Sequence, residues 1–230
     1  MIRTMIFLLG LTSTKKERIP AFISALRSSA VRHIALFPTC LSKEERRDLY
    51  EELGSIPGLR IPHVHLRADC DIAEISLLEQ VFGSEAFNIH PRLSSHPYDG
   101  DLGEFAPQVF IENGETPVED AEFESCGGLC PDFSHLENAR LCGRSSYVDT
   151  TLGQLTRHRI GCCHISAIRF GFPNSWSGEW DHHTFISLSD FDYLGLYRRF
   201  LPEAWASLEL ENPFEEQLEA RAYIEALVAT

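Results

Sequence analysis

Residues 33–66 read HIALFPTCLSKEERRDLYEELGSIPGLRIPHVHL, and this stretch decides the fold. An apolar run from His33 to Pro38 gives way to a charged segment, Ser42 to Leu53, with helical patterning. A second apolar run, Leu59 to Leu66, follows. Ser42 with Glu45 three residues later predicts a capping box, and Gly54 predicts the helix end. Strand, helix and strand in this order form the unit that builds a parallel sheet.

The same unit recurs on both sides. Strands are predicted over Met5–Gly10, His33–Pro38, Leu59–Leu66, Ala86–His90, Gln108–Glu112, Gly128–Phe133, Gly161–Ile168 and Ala206–Glu211. Helices are predicted over Lys16–Ser28, Ser42–Leu53, Ile72–Phe82, Val118–Glu124, Tyr147–His158, Phe191–Leu201 and Pro213–Leu227. The Pro, Gly and Ser content of 92–107 predicts an irregular connection with little helix. The series predicts an α/β fold, a (β/α)8 TIM barrel forming a single domain over residues 1–230. An open doubly wound sheet is the alternative. It expects a glycine-rich turn after its first strand, where Leu9-Gly10-Leu11-Thr12 offers one glycine.

Composition removes several functional classes. With 43% hydrophobic and 23% charged residues, disorder, collagen and coiled coil are excluded. A net charge of −14 repels phosphate backbones, so nucleic acid is not an expected partner. The apolar run Met5 to Leu11 is too short to span a membrane. Seven scattered cysteines predict free thiols and a reducing, cytoplasmic setting. The Cys126-x3-Cys130 pair lacks a second pair of zinc-site spacing, and Cys162 and Cys163 lie in an apolar strand; all read as small buried hydrophobes.

The chemistry collects at one rim. His63, His65, His90, His135, His164, His182 and His183 lie at or just beyond the carboxyl ends of predicted strands. Glu112, Asp132, Asp181 and Glu211 join them, on the barrel face where loops carry function. His63 and His65 share one face of their strand, and spacing alone does not choose between them. Carboxylates gathered this way repel one another unless cations intervene, which predicts two or three divalent ions. Mixed nitrogen and oxygen donors suit zinc, manganese or iron. His33 and His158 read as structural, and His96 lies in a polar loop above the rim.

Six segments then resemble a known family: Phe87-Asn88-Ile89-His90-Pro91, Ile111-Glu112-Asn113, Asp132-Phe133-Ser134-His135, Cys163-His164-Ile165, Asp181-His182-His183 and Leu210-Glu211-Asn212-Pro213. In order and spacing they are similar to the metal-binding signatures of the xylose isomerase-like TIM-barrel superfamily, in its endonuclease IV branch. The resemblance implies one metal held by Glu112, Asp132, His164 and Glu211. It implies further ligands at His63, His90, His135, Asp181 and His183, hence a multi-metal centre. The chain is shorter than that branch usually is and has no evident basic groove.

Three functions are expected in turn. A sugar or sugar-phosphate isomerase or epimerase would use Glu112 and Glu211 to carry protons beside a metal-polarised carbonyl. A multi-metal phosphoester hydrolase acting on a small substrate would employ every rim ligand. A non-catalytic metal- or metabolite-binding barrel is the third. The acidic charge and compact length favour the first. Arg67, Arg92 and Arg169 are candidate phosphate grips, and Trp176, Trp180 and Tyr98 are candidates to close over a sugar ring.

Overall fold

The computed structural model describes residues 5–98, 100–114 and 117–229. The elements run β1 (Ile6–Thr12), α1 (Ile19–Ser28), β2 (His33–Phe37), α2 (Lys43–Gly54), β3 (Arg60–His65), α3 (Ile72–Phe82) and β4 (Ala86–Ile89). Then come β5 (Val109–Glu112), α4 (Asp120–Glu124), β6 (Gly128–Cys130), α5 (Phe133–Leu141), α6 (Ser145–Arg157) and β7 (Cys162–Ile165). Last are β8 (Ala167–Ile168), β9 (Asp181–His182), α7 (Leu194–Tyr197), β10 (Trp205–Leu208) and α8 (Phe214–Ala229).

Eight parallel strands lie in the order β6-β5-β4-β3-β2-β1-β10-β7. The two outer strands meet through parallel bridges, Leu129 with Ile160 and Asp132 with His164, so the sheet nearly closes on itself. This is a (β/α)8 TIM barrel. β8 and β9 stand apart as a short antiparallel pair above the ring. Among the described residues, no helix is long and apolar enough to cross a membrane.

The stretch that decided the fold behaves as its residues dictate. Ser42 Oγ accepts from the Glu45 backbone N–H, and a Glu45 carboxylate oxygen accepts from the Ser42 N–H at 2.7 Å, completing the capping box. We predict that Ser42→Ala costs about 1 kcal/mol, read as a lower urea midpoint at unchanged slope. Where α2 meets α3, the buried Arg46 grips Glu74 with two bonds of 2.6 and 2.8 Å, and Tyr50 donates to the same carboxylate.

Several boundaries differ from expectation. The predicted strand Gly128–Phe133 stops at Cys130, because Asp132 turns the chain into α5, a helix absent from the sequence reading. The predicted strand Gly161–Ile168 splits into β7 and β8, which belong to different sheets. The predicted helix Phe191–Leu201 is broken into short 3-10 and α turns.

The large apolar core lies between strands and helices. Two smaller apolar sets, Ala86, Phe110, Cys130 and Cys162 on one side and Leu8, Ala35 and Phe37 on the other, both pack against Trp205 and floor the lumen. All seven cysteines are free.

Candidate metal centre

Above that floor the lumen turns polar. β3 contributes His63 and His65, β4 contributes Asn88, and His90 follows its last residue. Glu112 ends β5, and His164 lies in β7. Asp132 serves as N-cap of α5: Oδ1 accepts from the His135 N–H at 2.9 Å and from Ser134 Oγ, which leaves Oδ2 facing inward. Asn113 clamps the Asp132 backbone, accepting its N–H at 2.6 Å and donating to its carbonyl at 3.2 Å. His135 therefore projects from the first turn of a helix whose start is fixed by a neighbouring donor.

The groups converge closely. His164 Nδ1 stands 3.3 Å from Glu209 Oε2, 3.5 Å from Glu112 Oε2 and 4.0 Å from Asp132 Oδ2. His135 Nδ1 is 3.7 Å from Glu112 and 3.6 Å from Asp132, and its Nε2 is 3.6 Å from Asp181. His65 Nδ1 is 3.7 Å from Glu112, and its ring meets that of His90 edge-on, centroids 4.6 Å apart.

Whether these residues suit metal ions is answered by their unpaired atoms. Both nitrogens of His65, Oδ2 of Asp132 and Nδ1 of His164 are buried and have no hydrogen-bond partner. Leaving such atoms bare is costly, and His65 Nδ1, His164 Nδ1 and Asp132 Oδ2 gather around Glu112 and one another. Donors about 2.1 Å from a tetrahedral ion lie about 3.4 Å apart, close to the spacings around His164. Four donor groups follow: His65, His90 and Glu112; Glu112, Asp132 and His135; Asp132, His164 and Glu209; and, deeper, His63 with Cys130 and Cys162, each with donor atoms within 4.8 Å of one another. The first three fit the expected group.

Electrostatics agree. Burial opposes charge on His135, but Asp132, Glu112 and Asp181 outweigh it and raise its pKa to about 9. Burial likewise opposes charge on His164, yet Glu112 and Glu209 push it well above the usual imidazole range. Burial raises the carboxylates, but His164 and His65 hold Glu112 well below the normal value, and His183 and His164 bring Glu209 down to about 2. Burial, helped by the neighbouring His90 and His164 and opposed by Glu112 and Glu209, drives His65 down to about 3, keeping it neutral and ready to donate a lone pair. The carboxylates demand positive charge at this point, which the imidazoles supply when no cation does.

A cleft of about 250 Å³ opens over the centre, bordered by His90, Glu112, His135, Arg144, Trp176 and Asp181. Arg144 there pairs with Glu179. Of the three arginines expected to grip phosphate, none borders this cleft: Arg67 donates to the Leu41 carbonyl, Arg92 lines a smaller cavity, and Arg169 lies over the Phe172 ring. Trp176 does border it, largely exposed and 5.7 Å from the His183 ring. Trp180 packs on Phe170, and Tyr98 is buried, donating to the Cys70 carbonyl.

Glu211 lies outside the cluster, with Oε2 2.9 Å from Lys15. Glu209, absent from the sequence reading, stands instead beside His164. His63 is satisfied by Ser207 Oγ at 2.7 Å and Asn88 Oδ1 at 3.0 Å. His183 borders the cluster and acts on Glu209 through its charge, without joining a donor group.

No family model and no curated protein matches the chain. Among solved structures it is similar to SacUVDE, with a TM-score of 0.46 and 14% identity over 97% of this chain and 99% of that one. It is also similar to the thiamine phosphate pyrophosphorylase from Pyrococcus furiosus, with a TM-score of 0.40 and 11% identity over 98% of each chain.

Proposed function

We propose that the protein is a metal-dependent hydrolase of small phosphoesters, using in part the ligand pattern that the resemblance to the endonuclease IV branch implies, with Glu209 and His65 in place of Glu211 and His63. The observation that carries this reading is the sharing of carboxylates: Glu112 belongs to two adjacent donor groups and Asp132 to two. A carboxylate that stands between two donor groups is placed to join neighbouring ions into one centre, and the groups of His65 with His90 and of His135 with Asp132 extend beyond what one ion beside His164 would take up. His65, His90, Glu112, Asp132, His135, His164 and Glu209 would hold two or three ions, with zinc, manganese or iron suited to the donors. When bound, such ions supply Lewis acidity to a phosphoryl oxygen and acidify water.

The chain's own groups supply the rest. The Asp132 cap and the Asn113 clamp hold their donors before any substrate arrives. His135 lines the cleft with Nε2 3.6 Å from Asp181, so with Nδ1 turned to Asp132 and Glu112 its ring is held between the donors and Asp181. Arg144, the guanidinium on the cleft wall, is paired to Glu179, and the chain carries a net charge of −14, which fits a small ester and opposes a polymer. Seven free thiols suit a reducing compartment, and we place the protein in the cytoplasm.

A second reading, isomerase or epimerase, draws on the innermost group, where Glu112 and Glu209 both approach His164 and could trade protons beside a single ion. Elemental analysis and turnover separate the two. We predict two or three metal equivalents per chain and release of p-nitrophenol from bis(p-nitrophenyl) phosphate that stops on chelation. One equivalent, with solvent deuterium entering a ketose, would overturn the hydrolase.

A further inference from the structure

One buried amide ties the centre together. Asn88 is 0% exposed and has three side-chain partners from three other strands or strand ends. Its Nδ2 donates to Glu112 Oε2 at 2.9 Å. Its Oδ1 lies 3.0 Å from His63 Nε2 and 3.1 Å from His164 Nε2.

The direction of every proton follows. A reversed amide would set its oxygen against the Glu112 carboxylate, two acceptors face to face, so Nδ2 must point at Glu112. The amide oxygen has no proton to give. Both imidazoles must therefore carry hydrogen on Nε2. In neutral His164 this places the lone pair on Nδ1, the atom that lies 3.3–4.0 Å from Glu209, Glu112 and Asp132 without a hydrogen bond. In neutral His63 the lone pair also falls on Nδ1, where it accepts from Ser207 Oγ–H at 2.7 Å. Although His63 stands beside Cys130 and Cys162, both its nitrogens are engaged by Ser207 and Asn88, whereas both nitrogens of His65 are unpartnered.

We propose that Asn88 is a positioning residue that commits His164 to binding metal through Nδ1, and that His63 braces the same amide and is not a ligand. The proposal rests on reading the cluster as a metal centre and adds which nitrogen binds and which histidine stands aside. A histidine whose second nitrogen is held by a fixed acceptor arrives with its ring and its tautomer already set, and losing such a partner typically weakens metal binding about 10–100-fold.

The test uses the full chain, zinc as the probe, and nitrogen NMR with histidine-labelled protein. In zinc-loaded wild type, His164 should coordinate through Nδ1 and retain its Nε2 proton. Asn88→Leu, which removes the acceptor, should weaken zinc about 10–100-fold in chelator competition. His63→Gln should keep the full zinc stoichiometry. Thermal unfolding of each metal-free variant reports whether it folds, and the wild-type spectrum decides the nitrogen without any variant. Coordination through Nε2, an Asn88→Leu affinity within twofold of wild type, or the loss of one zinc equivalent in His63→Gln each overturns the proposal. A wild type that takes up no zinc overturns the metal-centre reading and this proposal with it. Normal uptake with an indifferent Asn88→Leu overturns this proposal alone.

Discussion

Glu112→Gln is expected to strip at least one metal equivalent from each chain and to lower phosphodiester turnover by roughly 10²–10³-fold or more, the scale on which loss of one electrostatic stabiliser is felt in a closed site. The side chain keeps its size, so the effect isolates charge. Three imidazole nitrogens lie 3.5–3.7 Å from its oxygens, and it belongs to two donor groups. A neutral amide can still accept from Asn88 but cannot join two cations. The metal-free variant should fold, since no cavity is made and Asp132 and Glu209 remain to balance the imidazoles. Elemental analysis beside turnover checks both halves, and a variant with unchanged metal content would remove Glu112 from the centre.

The second large effect concerns the scaffold. Gly10→Ala is expected to destabilise the barrel by about 3 kcal/mol or more, lowering Tm by roughly 6–12 °C for a chain of this size. An added Cβ would lie 1.9 Å from the Leu208 carbonyl oxygen on the neighbouring strand and 3.0 Å from the Phe37 ring. The first of these is backbone and cannot step aside without opening the seam between β1 and β10. Gln217 of α8 increases the cost by holding the Gly10 N–H at 2.9 Å and its carbonyl at 3.1 Å. Gly195→Ala is the control, because a Cβ there meets nothing within 4 Å and should cost no stability. Calorimetry on the metal-free proteins reads both, and equal melting temperatures would show that the seam yields.

The parts of this molecule governed by local chemistry were open to reading. The capping box at Ser42, the extent of α3, and the shared face of His63 and His65 all follow from spacing a few residues long. What escaped depends on how far each strand stands above its neighbour, which no single strand records. His63 pairs with Ala35 and Ala86, whereas His65 pairs with Asn88, one layer higher and nearer Glu112. The same stagger separates Glu209 from Glu211. Ser207 lies opposite His164, so Glu209 is the first acid above that level, while Glu211 has already left the ring to meet Lys15. Asp132 hid α5 for a different reason: one oxygen caps the helix and the other faces the centre, and each use looks complete without the other.

The hairpin of β8 and β9 bears on how such a barrel changes. Its loop brings Trp176 and its second strand brings Asp181 to the cleft, yet neither strand takes part in the parallel ring. That part of the cleft wall is thus grafted onto a ring it does not join. Exchanging the loop between the two short strands would reshape that wall while His65, Glu112 and His164 keep their places on strands of the ring.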